Sequence, residues 1–210
     1  MQTKAHWERV YKASAVTDTS WFQEHSAFSL HFIEETGVAR VGRIIDVGGG
    51  ASTLVDDLLD RQFENVTVLD ISATALEAAR QRLGPRASQV FWREADITTV
   101  QLPFHHYDVW HDRAVFHFLT RAEDRAHYVE AVCRAVKPGG YVIIAAFAPD
   151  GPTQCSGLGT MRYSPDTLHS EFGEAFELVE SSRETHNTPF GTEQQFIYCR
   201  CRRTRPLRRG

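Results

Sequence analysis

Between residues 43 and 146, short apolar runs alternate with segments whose apolar residues recur at helical spacing, and that rhythm leaves few folds open. The runs are Arg43–Val47, Asn65–Asp70, 90–92, 107–110 and 141–146. After the first, Leu54, Val55, Leu58 and Leu59 share one helix face; after the second, Ala75, Leu76, Ala79 and Leu83 do so. A third helix buries Tyr128, Val129, Val132 and Val136. Thr53 with Asp56, and Thr120 with Glu123, have capping-box spacing. Gly84-Pro85 stops one helix and the segment 137–140 another. Strands joined through helices lie parallel, and the wholly apolar run 141–146 suits a strand covered on both faces.

The rhythm changes after residue 148. A loop of small residues leads to a short helix at Ser164-Pro165, proline fitting its first turn. Two strand-like segments follow, 176–184 and 195–201, joined by a linker too short for a helical crossover, so they pair antiparallel. The expected fold is α/β: a Rossmann-like three-layer sandwich with a mostly parallel seven-stranded sheet and an antiparallel C-terminal strand pair. Residues 1–203 read as one domain, with 1–40 an N-terminal lid, 41–148 the ligand-binding core and 149–165 a substrate-side loop. Residues 204–210 read as a disordered basic tail.

Composition narrows the setting. Charged residues are 24% of the chain, and the longest apolar run, 141–148, is far too short to span a bilayer. The N-terminus lacks the apolar stretch of a signal peptide, so the expectation is a cytoplasmic protein with no membrane partner. Cys133, Cys155, Cys199 and Cys201 show no CxxC spacing, which points to neither a metal site nor a disulfide framework. Cys199 and Cys201 share a face if their segment is a strand. Residues 200–210 hold six arginines and no acid; the rest of the chain has 17 basic and 27 acidic residues. That acidic body argues against a nucleic-acid partner, and the arginines read as a solvated, frayed end.

The first run ends in Asp46-Val47 and is followed by Gly48, Gly49 and Gly50, a turn shared by many nucleotide-binding folds. Asp46 is more discriminating. Its carboxylate would repel a diphosphate but favours a ligand carrying a sulfonium and an amino group, which selects S-adenosylmethionine over a nicotinamide cofactor. Asp70 closes the second run, 20 residues beyond Gly50, where an acid can accept bonds from ribose hydroxyls. Asp96 follows the third run with Ile97 beside it and can accept from an adenine amino group; Ile71 similarly adjoins Asp70. Singly, such acids are often caps; together, at successive strand ends, they outline a ligand site.

Asp46 to Ser52 resembles the first motif of the class I S-adenosylmethionine-dependent methyltransferases, with Ser52 where glycine is common. Segments 68–70, 94–96, 107–109 and 136–140 are similar to the later motifs, in order. The resemblance covers roughly residues 40–148 and implies the cofactor and the reaction class rather than the acceptor. His6, Trp7 and Tyr11, then Ser20, Trp21, Phe22 and Ser26, also resemble the opening of small protein-lysine methyltransferases acting on elongation factors. In those relatives the segment packs over the cofactor. Trp7 and Tyr11 lie four residues apart and share a helix face, so they form such a lid or simply dock on the core. Asp112 and Arg113 match the lysine enzymes' acid and base, but Ala114 stands where they have glycine. No Pro-Pro-aromatic motif of nucleic-acid amino methyltransferases follows the fourth run.

Methyl transfer needs a base only where the nucleophile must lose a proton. His111, Asp112 and His117 are candidates, the histidines because they titrate near neutrality, although each also suits packing or hydrogen bonding. His111 also adjoins the expected cofactor site. Trp21, Arg113, Cys155, Arg162 and Tyr163 are candidate substrate contacts, the last three on a loop above the ligand end of the sheet. Three functions stay open: a small-molecule methyltransferase, a protein-lysine methyltransferase, and a non-catalytic cofactor-binding or interaction protein. The first is preferred, because lid and loop can enclose a pocket.

Overall fold

The computed structural model of the chain describes residues 3–13 and 15–204. Seven strands, β1 (Arg43–Val47), β2 (Asn65–Asp70), β3 (Val90–Glu94), β4 (Tyr107–Arg113), β5 (Val136–Phe147), β6 (Phe176–Asn187) and β7 (Glu193–Arg203), form one sheet. Its order is β3-β2-β1-β4-β5-β7-β6. The first five pair in parallel, while β7 runs antiparallel to both β5 and β6. The α-helices among the described residues are α1 (Lys4–Ala13), α2 (Ala27–Glu34), α3 (Leu54–Asp60), α4 (Ala73–Leu83), α5 (Ala122–Ala135) and α6 (Pro165–Phe172).

Alternation along the strands divides the core into two layers. Ile45, Val47, Trp110 and Ile144 pack with Tyr128 and Val132 of α5 and Leu168 and Phe172 of α6. Their neighbours Ile44, Val66, Val68, Val109 and Ile143 pack on the opposite face with Leu30 and Ile33 of α2, Leu54 and Leu58 of α3, and Leu76 of α4. This is the expected three-layer sandwich. The strand order reverses between β1 and β4, and ligands in such sheets bind outside the strand ends at that switch point.

Several local expectations are corrected. β3 runs on to Glu94 and β4 to Arg113, because β2 and β5 continue to supply ladder partners there. His111, Asp112 and Arg113 therefore belong to a strand, not to the loop after it. Neither proposed capping box forms: the Thr53 hydroxyl donates to the Gln23 carbonyl at 3.0 Å, and α5 starts at Ala122 after Arg121, with no side-chain cap. The box that does form is Ser164 with Thr167, at the start of α6. The arginine-rich end is not wholly solvated. Arg200 is buried and pairs with Glu180 at 2.8 Å, and Arg203, also buried, donates to the Val136 carbonyl. Cys199 and Cys201 pack into the same core layer. Residues 205–210 of the proposed tail lie outside the described residues. Among the described residues, no helix is long and apolar enough to cross a membrane.

The N-terminal segment is bound to the sheet's ligand end by polar contacts. Glu8 on α1 accepts from the Ser72 hydroxyl at 3.1 Å, the Thr74 amide at 3.3 Å and the Thr74 hydroxyl; these bonds hold its carboxyl down at about 2. Asp57 accepts from the Ser26 amide at 2.8 Å and contacts His25, which tethers the start of α2 to α3.

Candidate active site

The turn after β1 is shaped by what a side chain would strike. Gly48 has φ of 71°, and a Cβ there would lie 2.0 Å from Val115 Cγ2; one on Gly49 would lie 2.3 Å from Asp46 Oδ2. The Asp46 carboxylate is thus tucked directly beneath the turn. Because β1 and β4 pair in parallel with Asp46 opposite His111, Asp46 Oδ1 meets His111 Nδ1 at 2.7 Å. Asp46 Oδ2 and His111 Nε2 remain buried without partners. Two such atoms beside a glycine turn are where a polar ligand restores lost hydrogen bonds.

Asp70, at the end of β2, is only 6% exposed, and its Oδ1 accepts from the Ser72 amide at 2.8 Å. Burial, with the nearby charge of Asp46, pushes its carboxyl up to about 7. At the end of β3, Asp96 Oδ1 accepts from the Thr98 amide at 2.9 Å and the Thr98 hydroxyl at 2.7 Å. Ile97 beside it is buried.

These strand ends open into a cavity, which Asp70, Ile71, Asp96 and Ile97 line on one side. A second, smaller space, lined by Asp46, Gly49 and His111, shares Gly48, Tyr11, Trp21 and Arg113 with it. Above both, Trp7, Tyr11 and Trp21 pack with ring centroids 6.0–6.3 Å apart, and Trp7 also sits edge-on to Phe118 at 5.2 Å. The shared helix face of Trp7 and Tyr11 thus covers the ligand end of the sheet. Burial pushes the Tyr11 phenol well up, so this roof is uncharged.

The far side of the larger cavity is built from β4, β5 and β7. Arg113 Nε donates to Glu184 at 3.3 Å, and its guanidinium lies 4.3 Å from the centre of the Phe196 ring. Gln23 donates to the other Glu184 oxygen at 2.7 Å. His117 is fully buried and stacked on Phe147 at 4.2 Å, and burial holds its imidazole down at about 3. Cys155, from a two-residue hairpin inside the loop after β5, also lines the cavity; burial pushes its thiol up, so it is a neutral thiol.

Four candidate residues fall outside both cavity linings. Gly50 continues the turn. Asp112 is buried, accepting from Tyr128 at 2.6 Å and from the Val115 and Phe116 amides at 2.8 and 3.1 Å; it braces the turn after β4. Arg162 is exposed and donates to the Pro149 carbonyl at 2.8 Å. Tyr163 is buried against Phe116.

Conversely, sequence reasoning passed over Glu184, Gln194, Phe196 and Phe147. A signal was present in the strand period: Gln194 and Phe196 are two apart on β7, opposite His186 and Glu184 on β6, and so share a face. Ala114 carries φ of 76°, an uncommon left-handed conformation for a non-glycine residue.

The residues present fit an adenosyl sulfonium better than a dinucleotide. The free Asp46 oxygen beneath the glycine turn offers a negative charge where a dinucleotide would place its diphosphate. Residues 45–144 match the family described as "Methyltransferase domain". Residues 45–144 form a methyltransferase domain, built on the fold of the class I S-adenosylmethionine-dependent enzymes. The methyltransferase is 23% identical over 192 residues to human EEF1A lysine methyltransferase 2, covering 85% of this chain and 75% of that one. It is 30% identical over 128 residues to the ubiquinone/menaquinone biosynthesis C-methyltransferase UbiE of Azotobacter vinelandii, covering 59% and 49%. Its fold matches that of the N-methyltransferase NodS from Bradyrhizobium japonicum, solved with S-adenosylhomocysteine. There the TM-score is 0.72 at 15% identity, over 94% of this chain and 98% of that one.

Proposed function

We propose that the methyltransferase acts on a small-molecule acceptor held between the aromatic roof and the far wall of the larger cavity. The observation that carries this reading is enclosure: Trp7, Tyr11 and Trp21 close one side and Cys155 of the loop the other, over a mostly apolar lining with a few buried polar atoms. Such composition is typical of small-molecule sites. In this reading residues 1–40 are the lid, 41–148 the cofactor core and 149–165 the acceptor-side loop of one domain, 1–203.

Each cofactor assignment follows from the chemistry of the group. Asp46 and His111 would receive the amino-acid end, through the Asp46 charge and the free ring nitrogen. Gly48 and Gly49 admit the close approach of that end. Asp70 would accept from the ribose hydroxyls, and Asp96 from the adenine amino group between Ile71 and Ile97. When bound, the cofactor supplies an electrophilic methyl carbon on sulfur. Trp7 and Tyr11 exclude water, and the walls set the approach line of the acceptor; alignment of this kind is worth about 7–11 kcal/mol of barrier in well-oriented systems.

Protein-lysine methylation is the second reading, supported by the resemblance to EEF1A lysine methyltransferase 2 along most of both chains. The two separate in one experiment. Incubation with methyl-labelled S-adenosylmethionine and a cell lysate should place label in the small-molecule fraction. Label confined to protein contradicts the first reading and supports the second.

A further inference from the structure

The wall opposite the roof presents hydrogen-bond donors that nothing in the protein uses. His117 Nδ1 accepts from the Phe147 amide at 3.3 Å, so the neutral ring must carry its proton on Nε2. That Nε2–H is buried without a partner, and the ring lines the cavity. Arg113, whose side chain is 10% exposed, spends Nε on Glu184 and Nη1 on the Trp21 carbonyl at 3.4 Å and also interacts with the Tyr198 hydroxyl; its Nη2 lies buried outside hydrogen-bond geometry with any partner. Both side chains lean on one ring: the Phe196 centroid is 6.2 Å from that of His117 and 4.3 Å from the Arg113 guanidinium.

We propose that the acceptor atom is an oxyanion or thiolate, held by the Nε2–H of His117 and Nη2 of Arg113, with His117 serving as a donor and not as a base. This rests on the small-molecule reading above. The surrounding groups agree with it. Glu184 is engaged by Arg113 and Gln23, His186 Nε2 bonds to the Ser20 carbonyl at 2.8 Å, and Cys155 is a neutral thiol. Gln194 Oε1, also buried and unpartnered, can accept a second hydroxyl of the acceptor. The imidazole, held down at about 3, stays neutral at any working pH and so has little basicity to offer.

The chemistry balances without a protein base in the transfer step. The anionic oxygen or sulfur forms its bond to the methyl carbon as the carbon–sulfur bond of the donor breaks. The electron pair leaves on sulfur, giving a neutral methyl ether or thioether and S-adenosylhomocysteine. The acceptor's proton is lost to solvent beforehand. For thiols, each unit by which donors lower the pKa raises the ionised fraction about tenfold while cutting intrinsic nucleophilicity only about threefold. Two donors therefore help as long as the free acceptor's pKa lies above ambient pH.

Three measurements test this. Nitrogen-15 NMR of histidine-labelled protein bound to S-adenosylhomocysteine, with His117→Phe for assignment, should show His117 in the Nε2–H tautomer from pH 5 to 9. An Nδ1–H or doubly protonated ring would overturn the proposal with no acceptor needed. Separately, carbon-13 methyl S-adenosylmethionine is incubated with lysate, and the methyl shift of the small-molecule product is read. An O- or S-methyl signal supports the proposal; an N-methyl or C-methyl signal overturns it while leaving the small-molecule reading intact, and label in protein overturns that reading instead. With the isolated acceptor, His117→Leu should lower kcat/KM about 10–100-fold, and His117→Gln, which keeps an N–H, should recover part of it. Equal losses in both variants, with S-adenosylhomocysteine affinity unchanged, would mean a packing role only.

Discussion

Replacing Asp70 with asparagine should stabilise the ligand-free protein while weakening cofactor binding, and the gain should depend on pH in a calculable way. The carboxyl is 6% exposed and titrates at about 7 in the folded chain, against an ordinary value of 3.8. A folded-state value raised above the unfolded one means the carboxyl's contribution is fully present below about pH 4. That contribution is lost as pH rises through about 7. At 1.36 kcal/mol per unit, the acid costs roughly 4 kcal/mol at pH 8 and roughly 2 kcal/mol at pH 5, relative to a side chain that never ionises. Asparagine keeps an oxygen for the Ser72 amide, which donates to Asp70 at 2.8 Å. Urea unfolding of both proteins without ligand should show the variant more stable at both pH values, with about two and a half times the gain at pH 8. Equal unfolding free energies at both, or a variant less stable at pH 8, would refute the claim that Asp70 is held ionised against its surroundings for a ligand. Ribose hydroxyls favour the carboxylate, so wild-type affinity for S-adenosylhomocysteine should fall about tenfold from pH 8 to pH 6.

Other substitutions probe neighbouring parts of the account. Gly49→Ala puts a methyl 2.3 Å from Asp46 Oδ2 and 2.9 Å from Val68 Cγ1, so calorimetry should show S-adenosylhomocysteine affinity reduced by at least about tenfold. Tyr128→Phe removes the 2.6 Å bond to buried Asp112 and leaves the Trp110 N–H unpaired; chemical denaturation should show a loss of about 1–3 kcal/mol, with cofactor affinity nearly unchanged. Ala114→Gly relieves a left-handed alanine and should be neutral or stabilising by up to about 1 kcal/mol in the same assay. Trp7→Ala opens the roof and should raise the dissociation constant for S-adenosylhomocysteine and speed its release, read by stopped-flow binding.

The ligand end of the sheet was legible because one physical constraint wrote it three times: Asp46, Asp70 and Asp96 each lie at the C-terminal end of an apolar strand, and the glycines follow the first. Acids at strand ends do not disturb hydrophobic periodicity, so the strands and their limits emerge together. β4 was harder to read for the opposite reason. His111 and Asp112 are polar but buried, and their partners Asp46 and Tyr128 lie 65 and 16 residues away in sequence. A periodicity argument ends the strand where polarity begins, although the ladder continues. Capping failed similarly, because Thr53 has a competing partner in the Gln23 carbonyl, 30 residues away. The far wall of the cavity depends on β7 pairing between β5 and β6, and the register that sets Glu184 opposite Phe196 is a tertiary fact. Arg203 shows the limit of composition: in an arginine-rich end it reads as solvated, yet a carbonyl on β5 buries it.

The central claim is that the space beyond the ends of β1, β2 and β3 is built for S-adenosylmethionine and disfavours a diphosphate. Calorimetric titration of the wild-type chain and of Asp46→Asn with S-adenosylhomocysteine and with NAD tests it most directly. The account predicts one saturable site for S-adenosylhomocysteine, weakened in Asp46→Asn, and no measurable heat with NAD for the wild type. NAD binding to the wild type, or S-adenosylhomocysteine binding indifferent to Asp46, would contradict it.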